Sequence, residues 1–127
     1  MIQQGFGRTT HNHRRLKAWQ EAVTLVELVY CATRDLPRDE AFGLTNQLRR
    51  SAVSIPSNIA EGAGRNSTRE LVQFLGIASG SLAELDTQLE IAHRLGYLNG
   101  TSEVFGQASR VGQLVVALRK SLRSKTT

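Results

Sequence analysis

The sequence predicts an all-α protein, an antiparallel up-down-up-down four-helix bundle. In four separate blocks, apolar residues recur at alternating steps of three and four, the spacing of helices packed at shallow angles around a shared core. No segment sustains the period-two alternation of a strand, so no sheet is expected. The connections between blocks are short, which favours antiparallel neighbours.

The first predicted helix begins at Leu16 and ends before Pro37, because proline cannot continue a helix. Its expected core stripe is Leu16, Trp19, Val23, Val26, Tyr30 and Thr33. The second predicted helix has a stripe of Leu48, Ala52, Ile55 and Ile59. Pro56 lies one position past this stripe and removes a hydrogen bond to the Ala52 carbonyl. The second helix is therefore expected to be kinked at Pro56 or to restart with Ser54 as a cap; a ligand at the freed carbonyl is the alternative.

The third helix is expected to begin at Ser67, which together with Glu70 fits a Ser-x-x-Glu capping box. Its stripe runs without a break through Leu71, Leu75, Ala78, Leu82, Leu85, Leu89 and Ala92. Asn99-Gly100 is expected to close this helix, and Thr101 or Ser102 to cap the fourth. The fourth stripe is Val104, Ala108, Val111, Val115, Leu118 and Leu122.

The 127 residues are expected to form one domain: a flexible basic N-terminal arm at 1–15, the bundle at 16–123 and a flexible tail at 124–127. No run of about 20 apolar residues is present, so no membrane partner is expected. The single cysteine, Cys31, cannot form an intrachain disulfide, and a cytoplasmic location is expected.

The formal net charge is +5, and the basic excess lies at the two termini. Residues 1–17 and 119–125 each carry four basic side chains and no acidic one, whereas residues 18–118 carry eight basic and eleven acidic side chains. This pattern favours an anionic partner; solubilising tails are the alternative.

In an up-down-up-down bundle these termini and the turn between the second and third helices lie at the same end. We call that end the basic pole; its predicted members, and the hypothetical nucleic-acid-binding residues, are Arg14, Arg15, Lys17, Arg65, Arg69, Arg119, Lys120, Arg123 and Lys125. The opposite end mixes acidic and basic residues, whose charges nearly cancel. The basic pole predicts weakly sequence-selective binding that weakens steeply with salt.

The turn Gly62-Ala63-Gly64-Arg65-Asn66 feeds the start of the third helix, where free N–H groups favour an anion. It is not a Walker loop, because no strand precedes it and the Gly-Lys-Ser/Thr ending is absent. Two interpretations are open: a phosphate contact, or a helix end with Gly62 at positive φ.

A second stripe on the third helix has a polar middle that includes Glu84. If this stripe is buried, Glu84 requires a cation, and Arg49 or Arg50 on the second helix is the expected partner. Ser54 and Asn58 are available for hydrogen bonds. The sequence thus predicts a structural polar clamp of Arg49, Arg50, Asn58 and Glu84.

The sequence gives no support to catalysis, a metal site or a cofactor. His11 and His13 lack a third ligand, and His93 is expected to be solvated. No Ser-His-acid or Cys-His arrangement is indicated, so the protein is not expected to be an enzyme.

Further apolar residues exceed what one four-helix core needs, and they predict a homo-oligomer. They are Leu25, Leu28, Val29, Phe105, Leu114 and Val116.

Three stretches carry a family resemblance: LKAWQEAV, AFGLTNQLRRSAVSIPSNIAEGAGRNS and FLGIASGSLAELDTQLEIAHRLGYL. They resemble the four-helix bundle proteins encoded in intervening sequences of bacterial 23S ribosomal RNA genes. The resemblance covers residues 16 to about 100 and implies a small helical bundle, typically a homopentamer, with a proposed role related to nucleic acid. The expected function is therefore that of a non-enzymatic homo-oligomer that binds nucleic acid through the basic pole, with RNA as the first candidate and DNA as the second. The alternative is a structural or protein-interaction scaffold with no nucleic-acid role.

Overall fold

The computed structural model describes residues 13–100 and 102–126 of the chain. Over these residues it contains four α-helices and no strand: α1 Lys17–Thr33, α2 Leu44–Ala63, α3 Thr68–Arg94 and α4 Glu103–Thr126. Two short 3₁₀ turns, His13–Arg15 and Arg38–Glu40, precede α1 and α2. The all-α fold class is confirmed for the described part of the chain.

Each helix packs against two others, in the cyclic order α1, α2, α3, α4 and back to α1. This arrangement is that of a four-helix bundle, and its centre is filled by aliphatic side chains from all four helices. The expected stripes of α2, α3 and α4 are confirmed. Their fully buried members include Leu48, Ile55, Ile59, Leu75, Leu85, Leu89, Val111 and Val115.

The expected core stripe of α1 is wrong at every position except Thr33, which is buried. The buried residues of this helix are Ala18, Ala22, Leu25, Val29 and Thr33. Leu16, Trp19 and Val26 pack only at the edge of the core, and Tyr30 is exposed. Two apolar stripes adjoin on α1, and the one with the smaller side chains faces inward because alanine lets neighbouring helices approach closely.

The prediction that the second helix restarts at Pro56 is also wrong, because α2 is a single helix from Leu44 to Ala63 with Pro56 inside it. Ser54 does not act as a cap: its hydroxyl lies 2.7 Å from the Ser81 hydroxyl on α3. Ile55 and Ile59, on either side of the proline, are fully buried and anchor both halves of the helix. A bend at Pro56 stays a prediction.

Gly62 lies inside α2 and does not have positive φ, so that expectation is corrected. A methyl group at Gly62 would lie 2.7 Å from the Cβ of Phe74 and 3.0 Å from a Leu71 methyl. Glycine is needed there because α2 and α3 approach closely near their junction. The cap of α3 is confirmed, since the Glu70 amide donates to the Ser67 hydroxyl at 3.2 Å.

The third helix ends earlier than expected, at Arg94 instead of Asn99-Gly100. Gly96 takes a left-handed conformation with φ of 83°. The Tyr97 amide donates to the Ala92 carbonyl at 2.9 Å and the Gly96 amide to the His93 carbonyl at 3.0 Å, the pair of bonds of a Schellman motif. Ser102 then caps α4 weakly, accepting from the Val104 amide at 3.4 Å.

The predicted termini need one correction. Helix α4 continues through Ser124 and Lys125 to Thr126, past the expected boundary at 123. Of the predicted arm, residues 1–12 lie outside the described residues, and His13–Arg15 form the first 3₁₀ turn. Within the described ranges, no helix is long and apolar enough to cross a membrane.

Candidate nucleic-acid interface

The basic pole is assembled by contacts that join the ends of different helices. The His13–Arg15 turn packs on both α1 and α2. Arg119 of α4 reaches α3, where its Nε donates to the Val72 carbonyl at 3.3 Å. A methyl group at Gly76 would lie 2.8 Å from the Arg119 Nη2, so this glycine makes room for the guanidinium. The late part of α4 therefore lies against the early part of α3.

Trp19 forms the centre of an aromatic and cationic group. The His13 ring meets it edge to face at a centroid distance of 5.1 Å. The Arg14 guanidinium lies over it, 5.3 Å from the ring centroid. A ring face attracts a cation, so Trp19 holds Arg14 at the surface beside His13. This group was not predicted from the sequence, because the spacing of apolar residues placed Trp19 in the core stripe of the first helix.

Arg65 is fixed by two neighbours. Its Nη2 lies 2.8 Å from Glu61 Oε2, one turn back along the chain. Its Cζ lies 5.0 Å from the centroid of the Phe74 ring on α3. Arg65 therefore presents a guanidinium of restricted orientation at the junction of α2 and α3.

Lys17 lies close to Glu21, a carboxylate that also joins α1 to α4. Gln107 donates to Glu21 Oε1 at 2.9 Å, Arg110 donates to the same oxygen at 3.0 Å, and Lys17 Nζ lies 3.3 Å from Oε2. The hydrogen bonds from Gln107, then those from Arg110 and Lys17, lower the pKa of Glu21 to about 2. The Lys17 charge is therefore partly balanced within the protein.

The other predicted members of the basic pole lie at the surface. Arg15, Arg69, Lys120, Arg123 and Lys125 are exposed. Arg119 is half-buried. The basic pole also contains the acids Glu21, Glu61 and Glu70, which the sequence argument did not weigh.

A cavity of about 470 Å³ opens at the basic pole beside the end of α2. It is lined by His13, Ser57, Ala60, Glu61, Gly64 and Arg65. The turn at 62–66 is thus one wall of a cavity, whereas the sequence argument treated it as an isolated helix terminus. Glu61 could have been found from the sequence as the i−4 partner of Arg65.

The prediction that Glu84 is the acidic member of a polar clamp is wrong. Glu84 is exposed, and within the described part of the chain it forms no ion pair with Arg49 or Arg50. Arg49 instead faces α1: its Nε donates to the Thr33 hydroxyl at 2.9 Å, and its Cζ lies 4.5 Å from the Tyr30 ring centroid. Glu84 stays in water because the smaller Ser81 occupies the buried position of its stripe.

Neutral hydrogen bonds join α2 and α3 in place of the clamp. Ser51 donates to Gln88 Oε1 at 2.7 Å, and the hydroxyls of Ser54 and Ser81 are 2.7 Å apart. Asn58 donates to Ser54 Oγ at 3.0 Å. Ser54 and Asn58 thus form hydrogen bonds as expected, but with each other and with Ser81.

The surplus apolar residues are mostly part of the core. Leu25 and Val29 are fully buried, Leu28, Phe105 and Leu114 pack against the core, and only Val116 of this set is exposed. The exposed large apolar side chains are instead Tyr30, Phe42, Val53, Ile77, Ile91, Leu95 and Val116. Most of them belong to α2, α3 and the segments beside these helices.

His93 is exposed, as expected, and its ring meets Phe105 edge to face at 6.0 Å. His11 lies outside the described residues. Within the described ranges, no three potential metal ligands come together.

The fold and the basic pole define a class of protein, a small basic four-helix bundle. Residues 14–117 match the family model described as 23S rRNA-intervening sequence protein, and the chain belongs to that family. No curated protein matches the chain.

Proposed function

We propose that the four helices run up, down, up and down. Three contacts between α2 and α3 support this: Ser51 with Gln88, Ser54 with Ser81, and Gly62 with Phe74. Residue numbers rise on α2 as they fall on α3, as in antiparallel neighbours. The same reversal relates α3 and α4, where Arg119 meets Val72 and Phe105 meets His93.

In this arrangement the protein is a non-enzymatic binder of nucleic acid, with RNA the first candidate and DNA the second. The supporting observation is the convergence of the His13–Arg15 turn, the end of α2, the start of α3 and the late part of α4 on one basic pole. Phosphate groups would be bound by arginine and lysine side chains with little dependence on sequence.

The contacts at the basic pole indicate which of its members are available to a ligand and which are engaged within the protein. Arg15, Arg69, Lys120 and Lys125 are exposed and suited to phosphate groups. Arg14 is held by Trp19, and Arg65 is held by Glu61 and Phe74. These two arginines are therefore suited to orienting a bound nucleic-acid strand. Lys17 is balanced by Glu21, and Arg119 is engaged with Val72, so we assign both a smaller part.

The test is copurification. Protein isolated gently at low salt is expected to carry absorbance at 260 nm that ribonuclease treatment removes. Deoxyribonuclease is the control, because removal by that enzyme alone would mean that DNA is the partner. Protein free of nucleic acid after isolation in ~50 mM salt would count against the proposal.

The second candidate function is that of a scaffold, which would need only self-assembly. Phe42 is 97% exposed and Ile77, Ile91 and Leu95 are also exposed, an apolar surface that a second copy of the chain would cover. We propose a homo-oligomer, with the pentamer that the family resemblance implies as the first candidate. An oligomer that binds no nucleic acid would favour the scaffold.

A further inference from the structure

The cavity at the basic pole has a mixed apolar and polar lining, and it differs from its basic surroundings in containing an acidic side chain, Glu61. Its about 470 Å³ falls within the range of small-molecule sites, roughly 300–1,000 Å³. Glu61 places a carboxylate on the wall of this cavity. A carboxylate repels phosphate and can only accept hydrogen bonds, so a ligand here must offer N–H or O–H donors.

The hydrogen bonds that the lining residues already form determine which donors and acceptors remain for a ligand. Glu61 Oε2 accepts from Arg65 at 2.8 Å, while Oε1 accepts no hydrogen bond from any described residue. Ser57 uses its proton on the Val53 carbonyl at 2.8 Å, which leaves its oxygen as an acceptor. Arg65 is a donor with further N–H groups beyond the one bonded to Glu61. The cavity therefore combines acceptors on one helix face with a guanidinium at its end.

Guanine matches this combination. Among the four RNA bases it alone presents two adjacent donors, N1–H and N2–H₂, which a carboxylate can accept together, and its O6 accepts from arginine. Adenine and cytosine place an acceptor next to their amino group, and uracil places acceptors on both sides of its single N–H. An adjacent acceptor would face the Glu61 carboxylate unfavourably.

We propose that this cavity binds one unpaired guanine base, with Glu61 accepting from its N1–H and N2–H₂ edge and Arg65 donating to its O6. The inference rests on the proposed function, since it makes a guanine in single-stranded RNA the base that the basic pole selects. His13 lines the cavity and offers a ring on which a base can stack. The ring centroids of His13 and Trp19 lie 5.1 Å apart, and Trp19 is the single tryptophan of the sequence. Occupancy of the cavity is therefore expected to change the tryptophan fluorescence.

The experiment uses uridine oligonucleotides of about nine residues that differ only at the central base, which is guanosine, inosine or uridine. Affinity is measured at low salt by fluorescence anisotropy and by Trp19 emission. Inosine is the matched ligand control, because it lacks only the N2 amino group. The guanosine oligonucleotide is expected to bind about tenfold more tightly than the other two, the discrimination typical of a bidentate contact.

The Glu61→Gln variant is expected to bring the ratio of guanosine to uridine affinity close to one. Glu90→Gln is the matched control: Glu90 pairs with Arg94 at 2.8 Å and i,i+4 spacing, and it is 52% exposed against 54% for Glu61, but it does not line the cavity. Both variants lose one exposed ion pair, so a difference between them reports on the cavity. Glu90→Gln is expected to keep the tenfold ratio.

Free guanosine monophosphate separates this inference from the proposed function. Equal binding of all three oligonucleotides by the wild type overturns the guanine site and leaves nucleic-acid binding in place. If no oligonucleotide binds but guanosine monophosphate changes Trp19 emission and inosine monophosphate does not, the guanine site stands for a free nucleotide and the RNA proposal fails. If neither oligonucleotides nor nucleotides bind, both proposals are overturned.

Discussion

Glu21 accepts hydrogen bonds from Gln107 and Arg110 on α4 and lies 3.3 Å from Lys17 on its own helix. A carboxylate whose pKa is lower in the folded than in the unfolded protein stabilises the fold in its charged form. The pKa of Glu21 falls from an ordinary value of 4.5 to about 2. Its contribution is therefore complete above pH 4.5 and is lost as the pH falls through about 2.

Glu21→Gln is expected to flatten the dependence of unfolding free energy on pH between about 4.5 and 2, because glutamine does not titrate there. The measurement is urea unfolding at a series of pH values. Glu27→Gln, an exposed position on the same helix, is the control and is expected to leave the slope of the wild type largely intact. Identical slopes of unfolding free energy against pH for the wild type and Glu21→Gln would contradict the expectation that the charged form of Glu21 stabilises the contact between α1 and α4.

Gly62→Ala is expected to lower the unfolding free energy by about 1–3 kcal/mol, because the new methyl group would lie 2.7 Å from Phe74 Cβ. Gly80→Ala on α3 is the matched control. A methyl group there meets nothing within 4 Å, and alanine favours a helix by about 0.5–1 kcal/mol, so this variant is expected to gain stability. A lower melting temperature for Gly62→Ala and a higher one for Gly80→Ala would support the close approach of α2 and α3. Equal increases in melting temperature for the two variants would contradict it.

Among the helices, the sequence predicted the cores of α2, α3 and α4 because each has one stripe that is apolar throughout; the second stripe of α3 has a polar middle. The prediction failed on α1, where apolar residues line two adjoining stripes and the choice between them depends on the neighbouring helices. Gly96 was missed because Asn99-Gly100, which ends four residues later, also fits the sequence pattern of a helix end. The capping box at Ser67 was found because its bonds are local, between residues three apart.

Hydrogen bonds between uncharged side chains, including the one from Ser51 to Gln88, join α2 to α3. Gln88→Ala is expected to cost about 1 kcal/mol, because it removes the hydrogen bond between α2 and α3 and leaves the buried Ser51 hydroxyl only the Leu48 carbonyl, at 3.2 Å instead of 2.7 Å. Glu84→Ala, one turn away on the same helix, is expected to change stability by no more than about 0.5 kcal/mol because Glu84 is exposed. Chemical denaturation of both variants is the measurement, and a larger loss for Glu84→Ala would restore the predicted clamp.

For the whole molecule, charge counting placed the basic residues at one end, but it did not predict which of them are engaged. The bond of Arg119 to the Val72 carbonyl depends on the distance between α3 and α4, which the sequence does not specify. Lys17 and Glu21, in contrast, are an i,i+4 pair on one helix that could have been found from the sequence. The cavity was also missed, because only the fold brings His13 of the first 3₁₀ turn to the end of α2, where the other lining residues lie. The sequence thus predicted the sign of the charge at the basic pole but not the shape of its surface.

Assembly is tested by light scattering on the full chain. The wild type is expected to exceed 14.0 kDa at micromolar concentration, and Ile77→Glu combined with Ile91→Glu is expected to shift it toward that mass. Val116→Glu, on α4 and 60% exposed, is the control for adding charge at an apolar surface position and is expected to keep the assembly. A wild type of 14.0 kDa would contradict self-assembly, and dissociation by Val116→Glu alone would move the interface to α4.

The central claim, a phosphate-binding basic pole, is tested most directly by the salt dependence of RNA affinity. We compare the wild type with two variants that each lose four exposed charges: Arg15, Arg69, Lys120 and Lys125 to glutamine at the basic pole, and Arg34, Arg38, Arg50 and Arg94 to glutamine elsewhere. Each lost phosphate contact on a single strand reduces the slope of log affinity against log salt by about 0.7. The basic-pole variant is expected to lose roughly 2–3 in slope while the control keeps the slope of the wild type. Equal slopes for the wild type and the basic-pole variant, or a greater loss in the control, would contradict the claim.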